Sequence, residues 1–233
     1  MTKHILIAIP LFNNPRFITE SLPSLYGFTD TDILIIDDGS DEDLFALVDA
    51  QPGVRCVRHE RFIGSGTSFI TGYQYARDFT YDFLIMINPD NPCFKEDIEA
   101  ISENLGYGYD VVTCSRILEN FDYEEIPKEL IEITERIAAA LAEATDFNVT
   151  DPLSGIIGVR MEAARRMDFT EFSHAVHLQL LIQASYFGLN VLEIPSHSGK
   201  SFGEEFGEYE DPLGFFLSRI ESEKYLYKKG TMN

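Results

Sequence analysis

The chain has 233 residues, 45% of them hydrophobic, and its 39 acidic against 18 basic side chains give a formal net charge of −21. That size suits one large domain or two small ones, with enough apolar material for a sizeable core. A wide negative field repels polyanions, which excludes a nucleic-acid backbone or an anionic membrane as the main partner, while one locally positive pocket could still take a phosphate.

No apolar run approaches the ~20 residues of a bilayer span. Met1-Thr2-Lys3-His4 runs directly into a strand-like segment, so no leader is expected and the protein reads as cytoplasmic. Cys56, Cys93 and Cys114 are scattered. They suit small core residues in a reducing compartment better than a disulfide or zinc framework.

The first half alternates two patterns. "HILIAIP" is a short Ile-rich run, too short for a helix, and predicts a strand ending near Pro10. "PRFITESLPSLYGF" has helical spacing with Pro15 at its start. "DILIID" predicts a second strand, stopped by Asp38-Gly39-Ser40, and "DEDLFALVDA" a helix with acids at its N-terminus. "VRCVRH", "GTSFITGYQYARDF", "DFLIMIN", "KEDIEAISENL" and "YDVVTCSR" continue the alternation as strand, helix, strand, helix, strand. The second half holds a long helical segment, "IPKELIEITERIAAALAEA". A loop then enters a strand, "TDPLSGIIGVR", followed by the helix "HAVHLQLLIQASYFG" and the strand "LNVLEIP". A Gly-rich polar loop and the amphipathic helix "LGFFLSRIESEKYLYKK" close the chain. This alternation predicts an α/β protein with a mostly parallel central sheet flanked by helices. The change near residue 118 marks a second subdomain on the same sheet.

Ligands of such sheets sit at the C-terminal strand ends. Those ends are Pro10 to Asn14, Asp37 to Ser40, Asn88 to Asn91 and Ser115-Arg116, all expected to converge on one cleft. Asp37-Asp38-Gly39-Ser40 suits a turn that caps the next helix, or a carboxylate pair facing a ribose or base donor. Gly64-Ser65-Gly66 precedes a helix and suits either an anion-binding loop or a plain loop into the helix. Asp151-Pro152-Leu153-Ser154-Gly155 is a turn, or places Asp151 opposite Asp90 to orient or deprotonate an acceptor. His197 and Lys200 lie in an exposed loop, where Lys200 could neutralise a diphosphate and His197 could ligate a metal. His174 and His177 share a helix face and read as surface or partly buried residues rather than metal ligands.

Taken in order, "IPLFNN", "IIDDGSDE", "GSGTSFITGYQYARDFTYDFLIMINPDNPCFKEDI", "VVTCSR" and "TDPLSGIIGVR" resemble family 2 glycosyltransferases of the GT-A fold. The likeness is greatest to polyprenyl-phosphate (dolichol-phosphate) mannosyl- or glucosyltransferases and covers about residues 4–200. It implies one domain over residues 1–233, with a nucleotide-sugar-binding half at 1–117 and an acceptor half with the C-terminal helix at 118–233. It further implies inverting transfer of a hexose from a GDP- or UDP-sugar, with Mg²⁺ or Mn²⁺. The acceptor would be polyprenyl phosphate, a glycan or a small molecule.

Carried over residue by residue, the resemblance assigns the nucleotide to Pro10, Phe12, Asn14, Asp37 and Asp38. It assigns the metal and diphosphate to Asn88 and Asp90, and the acceptor side to Asp151, Ser154 and Gly155. The basic loop falls on His197 to Ser201. Gly66 and Arg116 join the expected substrate-binding set with Lys200, and His197 the metal set. The chain departs from the family pattern at Phe12, where a Tyr is usual, and at Asn14, Asn88 and Gln179, where acids are usual. A non-catalytic nucleotide-sugar-binding protein on the same fold is the alternative. A nucleotidyltransferase would want glycines after the first strand, where Asn13-Asn14-Pro15-Arg16 stands. The last helix, with Lys224, Lys228 and Lys229, suits either packing on the domain or lying on the inner membrane face as a peripheral contact.

Overall fold

The structure, a computed structural model, describes residues 3–89, 95–118, 128–197, 206–207 and 209–228. Seven strands form one sheet: β1 Ile5–Leu11, β2 Thr31–Asp37, β3 Val54–Arg58, β4 Phe83–Ile87, β5 Val111–Ser115, β6 Ile156–Arg160 and β7 Val191–Pro195. Their order is β3-β2-β1-β4-β6-β5-β7. Only β6 runs against its neighbours β4 and β5; the other pairings are parallel. Both halves of the chain therefore contribute to one sheet.

Near-continuous apolar strands arise because both sheet faces are covered. Successive side chains alternate faces, so β1 splits its residues between two cores. Leu6 and Ala8 join one core with Leu34, Ile36, Leu84 and Met86. Ile5, Ile7 and Ile9 join the other with Ile33, Ile35 and Ile85. Each fully buried Ile or Leu contributes about 1.5–3 kcal/mol. Helices α2 (Ser65–Asp78), α4 (Lys128–Ala144), α6 (Val176–Tyr186) and α7 (Pro212–Lys228) cover the first face, and α1 (Phe45–Asp49) with α3 (Lys95–Tyr107) the second. The short α5 (Met161–Ala164) follows β6 directly.

Three departures from the expected elements have local causes. The helix expected from Pro15 is instead a wide turn over Phe17–Ser21 and a 3₁₀ turn over Leu22–Leu25, because Pro23 has no N–H for a regular helix. Helix α1 shrinks to five residues, since Asp43 Oδ1 accepts the Phe45 N–H and starts the helix late. Helix α7 turns Phe216, Ile220 and Tyr227 inward, and packs against α4 and α6. The apolar face that could have met a membrane is thus largely used inside the fold. Among the described residues, no helix is long and apolar enough to cross a membrane.

One contact sets how closely α3 sits on the sheet. A Cβ at Gly158 in β6 would lie 2.2 Å from Ile101 Cγ2 and 3.1 Å from Leu105 Cδ1. Gly158→Ala is therefore expected to cost about 1–3 kcal/mol by overpacking. A urea midpoint equal to that of the wild type would contradict this.

Candidate functional site

Pairing between β1 and β4 covers only Ile5–Ala8 against Phe83–Met86. Pro10 has no N–H to continue a ladder, so the two strands part at their C-terminal ends. This is also where the strand order reverses: β2 and β3 lie on one side of β1, and β4 on the other. A cleft of about 370 Å³ opens there. The antiparallel β6 starts at the same edge, which brings the 151–155 turn to the rim.

The outer end of the cleft is lined by Pro10, Phe12 and Asn14 after β1, Asp38 after β2, and Phe62 after β3. Phe12 and Phe62 are 43% and 47% exposed, yet their ring centroids lie 4.4 Å apart. Two exposed aromatic faces side by side form a platform for a flat ligand group. Asn14 Oδ1 accepts the Phe17 N–H and fixes the turn after β1.

Behind this platform, the Asp37–Ser40 turn is held by a dense set of bonds. Asp37 is buried; its Oδ1 accepts the Ser40 N–H, and Arg58 Nε stands 3.5 Å from its Oδ2. Ser40 Oγ accepts the Asn13 N–H. Asp38 Oδ1 lies 2.7 Å from His59 Nδ1, and Asp38 also accepts the N–H groups of Ile63 and Gly64. His59 Nε2 lies 2.8 Å from Thr71 Oγ1. Both acids thus tie loops together, and only Asp38 reaches the cleft wall. Gly39 has φ +76°, and a Cβ there would meet the Arg61 backbone at 2.2 Å, so this turn requires glycine.

Gly66 has a different task from the one expected. Its N–H donates to Phe172 O, and a Cβ on it would lie 2.4–2.6 Å from the backbone of residues 171–173. The glycine permits close chain packing, and its amide is not available to a ligand. The cleft wall here is formed instead by Ser65, Ser68 and Phe69 of α2, opposite Leu153 and Gly155.

Asp151 and Arg116 are brought together, but not into the cleft lining. Both are buried. Arg116 Nε donates to Asp151 Oδ2 at 2.7 Å, its NH2 group to Oδ1 at 2.9 Å, and its backbone N–H to Oδ2 at 3.0 Å. With both oxygens engaged by a bidentate cation, Asp151 is not placed as an open general base. Glu193 of β7 accepts the N–H groups of Thr150 and Asp151 and so shapes the same turn. Burial raises the Glu193 carboxyl above its ordinary value, opposed by those N–H groups. Ser154 is buried beneath the rim, 3.4 Å from Thr113 Oγ1. Gly155 has φ +79°, and a Cβ there would lie 2.7 Å from Asn88 Cβ, so the rim can close on Asn88 only with glycine at this position.

Of the three expected metal ligands, Asn88 lines the cleft and Asp90 lies outside the described residues, as does Lys200. His197 is pulled toward α3: its N–H and Nδ1 lie 2.7 and 2.9 Å from Asp97 Oδ1. Among the described residues, no three His, Cys, Asp or Glu side chains converge. Among the described residues, Asn88 is thus the only one of the three expected ligands that lines the cleft.

Two histidines read as peripheral in the sequence prove to be cleft residues. His174 and His177 line its inner end, the latter 6.0 Å from the Phe69 ring. Burial pushes the His177 imidazole down to about 4, helped by the neighbouring His174 and Arg116 and opposed by Asp151. It is therefore neutral at neutral pH. Their three-residue spacing announced a shared helix face, but not what that face meets. Gln179 is buried one turn on, where an amide is needed. Its oxygen accepts the N–H groups of Thr170 and Glu171 while its nitrogen donates to Glu223.

Comparison with known proteins agrees with this geometry. The family described as "Glycosyl transferase family 2" matches residues 6–168. An uncharacterised protein of Methanocaldococcus jannaschii is 26% identical over 196 residues, covering 82% of this chain and 79% of that one. An undecaprenyl-phosphate 4-deoxy-4-formamido-L-arabinose transferase of Sodalis glossinidius is 28% identical over 215 residues. That match covers 85% of this chain but 61% of the relative's length. Glucosyl-3-phosphoglycerate synthase of Mycobacterium tuberculosis, solved with Mn²⁺, UDP-glucose and phosphoglyceric acid, superimposes with a TM-score of 0.70 at 18% identity. That alignment covers 96% of this chain and 80% of the other, and places the fold in the GT-A class. With a cleft at the switch point of such a sheet, and the family pattern running through all but the last third of it, the chain belongs to glycosyl transferase family 2.

Proposed function

We infer that this chain transfers a hexose from a GDP- or UDP-sugar to an acceptor, with inversion. The observation that carries this reading is the cleft itself. An exposed Phe12–Phe62 platform at one end suits a nucleobase, and a rim built from Asn88 and Gly155 at the other faces the reacting end of a donor. Residues 1–117 would hold the nucleotide end of the donor, and residues 118–233 would close over its sugar and supply the acceptor side. The name of the Sodalis relative supports polyprenyl phosphate as the acceptor, with a glycan or a small molecule as alternatives. A phosphate acceptor needs no general base near neutral pH. That fits an Asp151 engaged by Arg116, which we assign a positioning role for the acceptor-side turn. If bound, Mg²⁺ or Mn²⁺ would act as a Lewis acid on the leaving diphosphate. Asp90 and Asn88 are the residues proposed to meet it.

A second reading, binding of a nucleotide sugar without turnover, draws support from the thin donor set around Asn88. Among the described residues, no lysine or arginine lines the cleft. The two readings part on release of nucleoside diphosphate in the presence of a lipid-phosphate acceptor.

Three measurements test the reading. Thermal unfolding against a panel of GDP- and UDP-sugars with Mn²⁺ is expected to show a raised midpoint for at least one donor. A hundred-fold excess over Kd corresponds to about 2.7 kcal/mol; no shift with any donor would sink the proposal. Second, Mn²⁺ titration should show weak binding that strengthens when donor is present, and strengthens further in Asn88→Asp. Equal affinity in both proteins would remove Asn88 from the ion's surroundings. Third, Arg116→Ala should cost about 3–5 kcal/mol, because it leaves a buried carboxylate unpaired. Asp151→Asn should lose stability and turnover together. Full stability with abolished turnover would restore Asp151 as a base.

A further inference from the structure

The inner end of the cleft has a chemistry of its own. Ser65 and Ser68, on the first turn of α2, both line it, and the Oγ atoms of both are buried with no hydrogen-bond partner. Ser68 is wholly buried in the wall. Buried hydroxyls are nearly always paired, so two orphans on one cavity wall call for a partner from outside the fold. The His174 and His177 rings line the same end, with Phe69, Met86 and Leu153 supplying apolar surface between the polar groups. Among the described residues, no lysine or arginine lines the cleft, and the carboxylate on its wall, Asp38, is already bonded to His59 and to the N–H groups of Ile63 and Gly64. Neutral donors and acceptors interleaved with apolar and aromatic surface do not match a phosphate. They match a ring with hydroxyls on its edge and C–H groups on its face.

Building on the glycosyltransferase reading, we propose that Ser68 and His177 form a neutral pocket that hydrogen-bonds a hydroxyl of the transferred hexose and so selects the sugar. Ser68 Oγ can donate or accept. The neutral imidazole has one N–H and one bare nitrogen, and can pair with a hydroxyl in either sense. Ser65, three residues earlier on the same turn of α2, is not needed for the selection.

The test compares the affinity of the full chain for a nucleoside diphosphate with its affinity for the matching nucleotide sugar, by calorimetry. Ser68→Ala and His177→Asn are each expected to reduce the nucleotide-sugar affinity by about three- to ten-fold, the range for one neutral hydrogen bond. Affinity for the bare nucleoside diphosphate should stay unchanged. In the wild type, a deoxy-sugar analogue of the same donor should lose a similar factor, and in the variants it should lose nothing further. The His177 contribution should decline as the pH falls toward 4, where the imidazole takes up a proton near His174, Arg116 and Asp151. An equal loss for the sugar and the bare diphosphate would overturn the pocket, as would no loss for either. A wild-type chain that binds nucleoside diphosphates but gains nothing from any attached hexose would overturn the pocket alone. One that binds no nucleotide at all would overturn the glycosyltransferase reading with it. If Ser68→Ala fails to fold, the deoxy-analogue series on wild type and His177→Asn decides the matter.

Discussion

A parallel sheet makes room for a ligand only where two neighbouring strands stop sharing hydrogen bonds. Here that place is the parting of β1 and β4 beyond Ala8 and Met86. Before it, every residue of β4 is buried and paired; after it, the backbone must find other partners. Much of the turn chemistry at this edge follows from that need. Asn88 N–H goes to Gly155 O, just before the antiparallel β6, and Asp38 N–H to Leu11 O. The parting is thus stabilised from both sides, and the cleft is a property of the strand order as much as of its lining residues.

Buried acids near this edge of the sheet carry much of this work. Asp37, Asp38, Asp97 and Asp151 are all nearly inaccessible, although the protein as a whole is strongly acidic. Each is met by backbone N–H groups, by a histidine or arginine, or by both. A buried carboxylate so satisfied orders the loop around it, and removing one partner would leave an expensive charge. The large negative charge belongs to the surface and bears on solubility. The few acids inside have structural duties that their composition alone would not announce.

The fold was legible in the sequence because β-strands buried on both faces leave unmistakable runs such as "ILIAIP" and "FLIMI". The strand ends that converge on the cleft could be named for the same reason. The roles of individual side chains were less legible. Asp38 and Asp151 look alike at a strand edge, and only the positions of His59 and Arg116, distant in sequence, separate a loop tie from a site residue. Gly66 resembles a phosphate-loop glycine until the 171–173 backbone is seen against it. His174 and His177 gave no sign of facing the cleft, since a helix's spacing specifies which residues share a face but not what lies opposite. Gln179 looked like a lost acid, and its partners explain the amide.

The close contact between Gly66 and the 171–173 backbone has a mechanical side. It joins the start of α2 to the segment leading into α6, and Gln179, tied to Glu223 on α7, holds that segment from behind. Two walls of the cleft are thereby braced to each other and, through Glu223, to α7 in the same helical layer. Such a jaw cannot widen by shifting one helix alone. A group too large for this end of the cleft would therefore meet a frame whose stiffness is set when the chain folds.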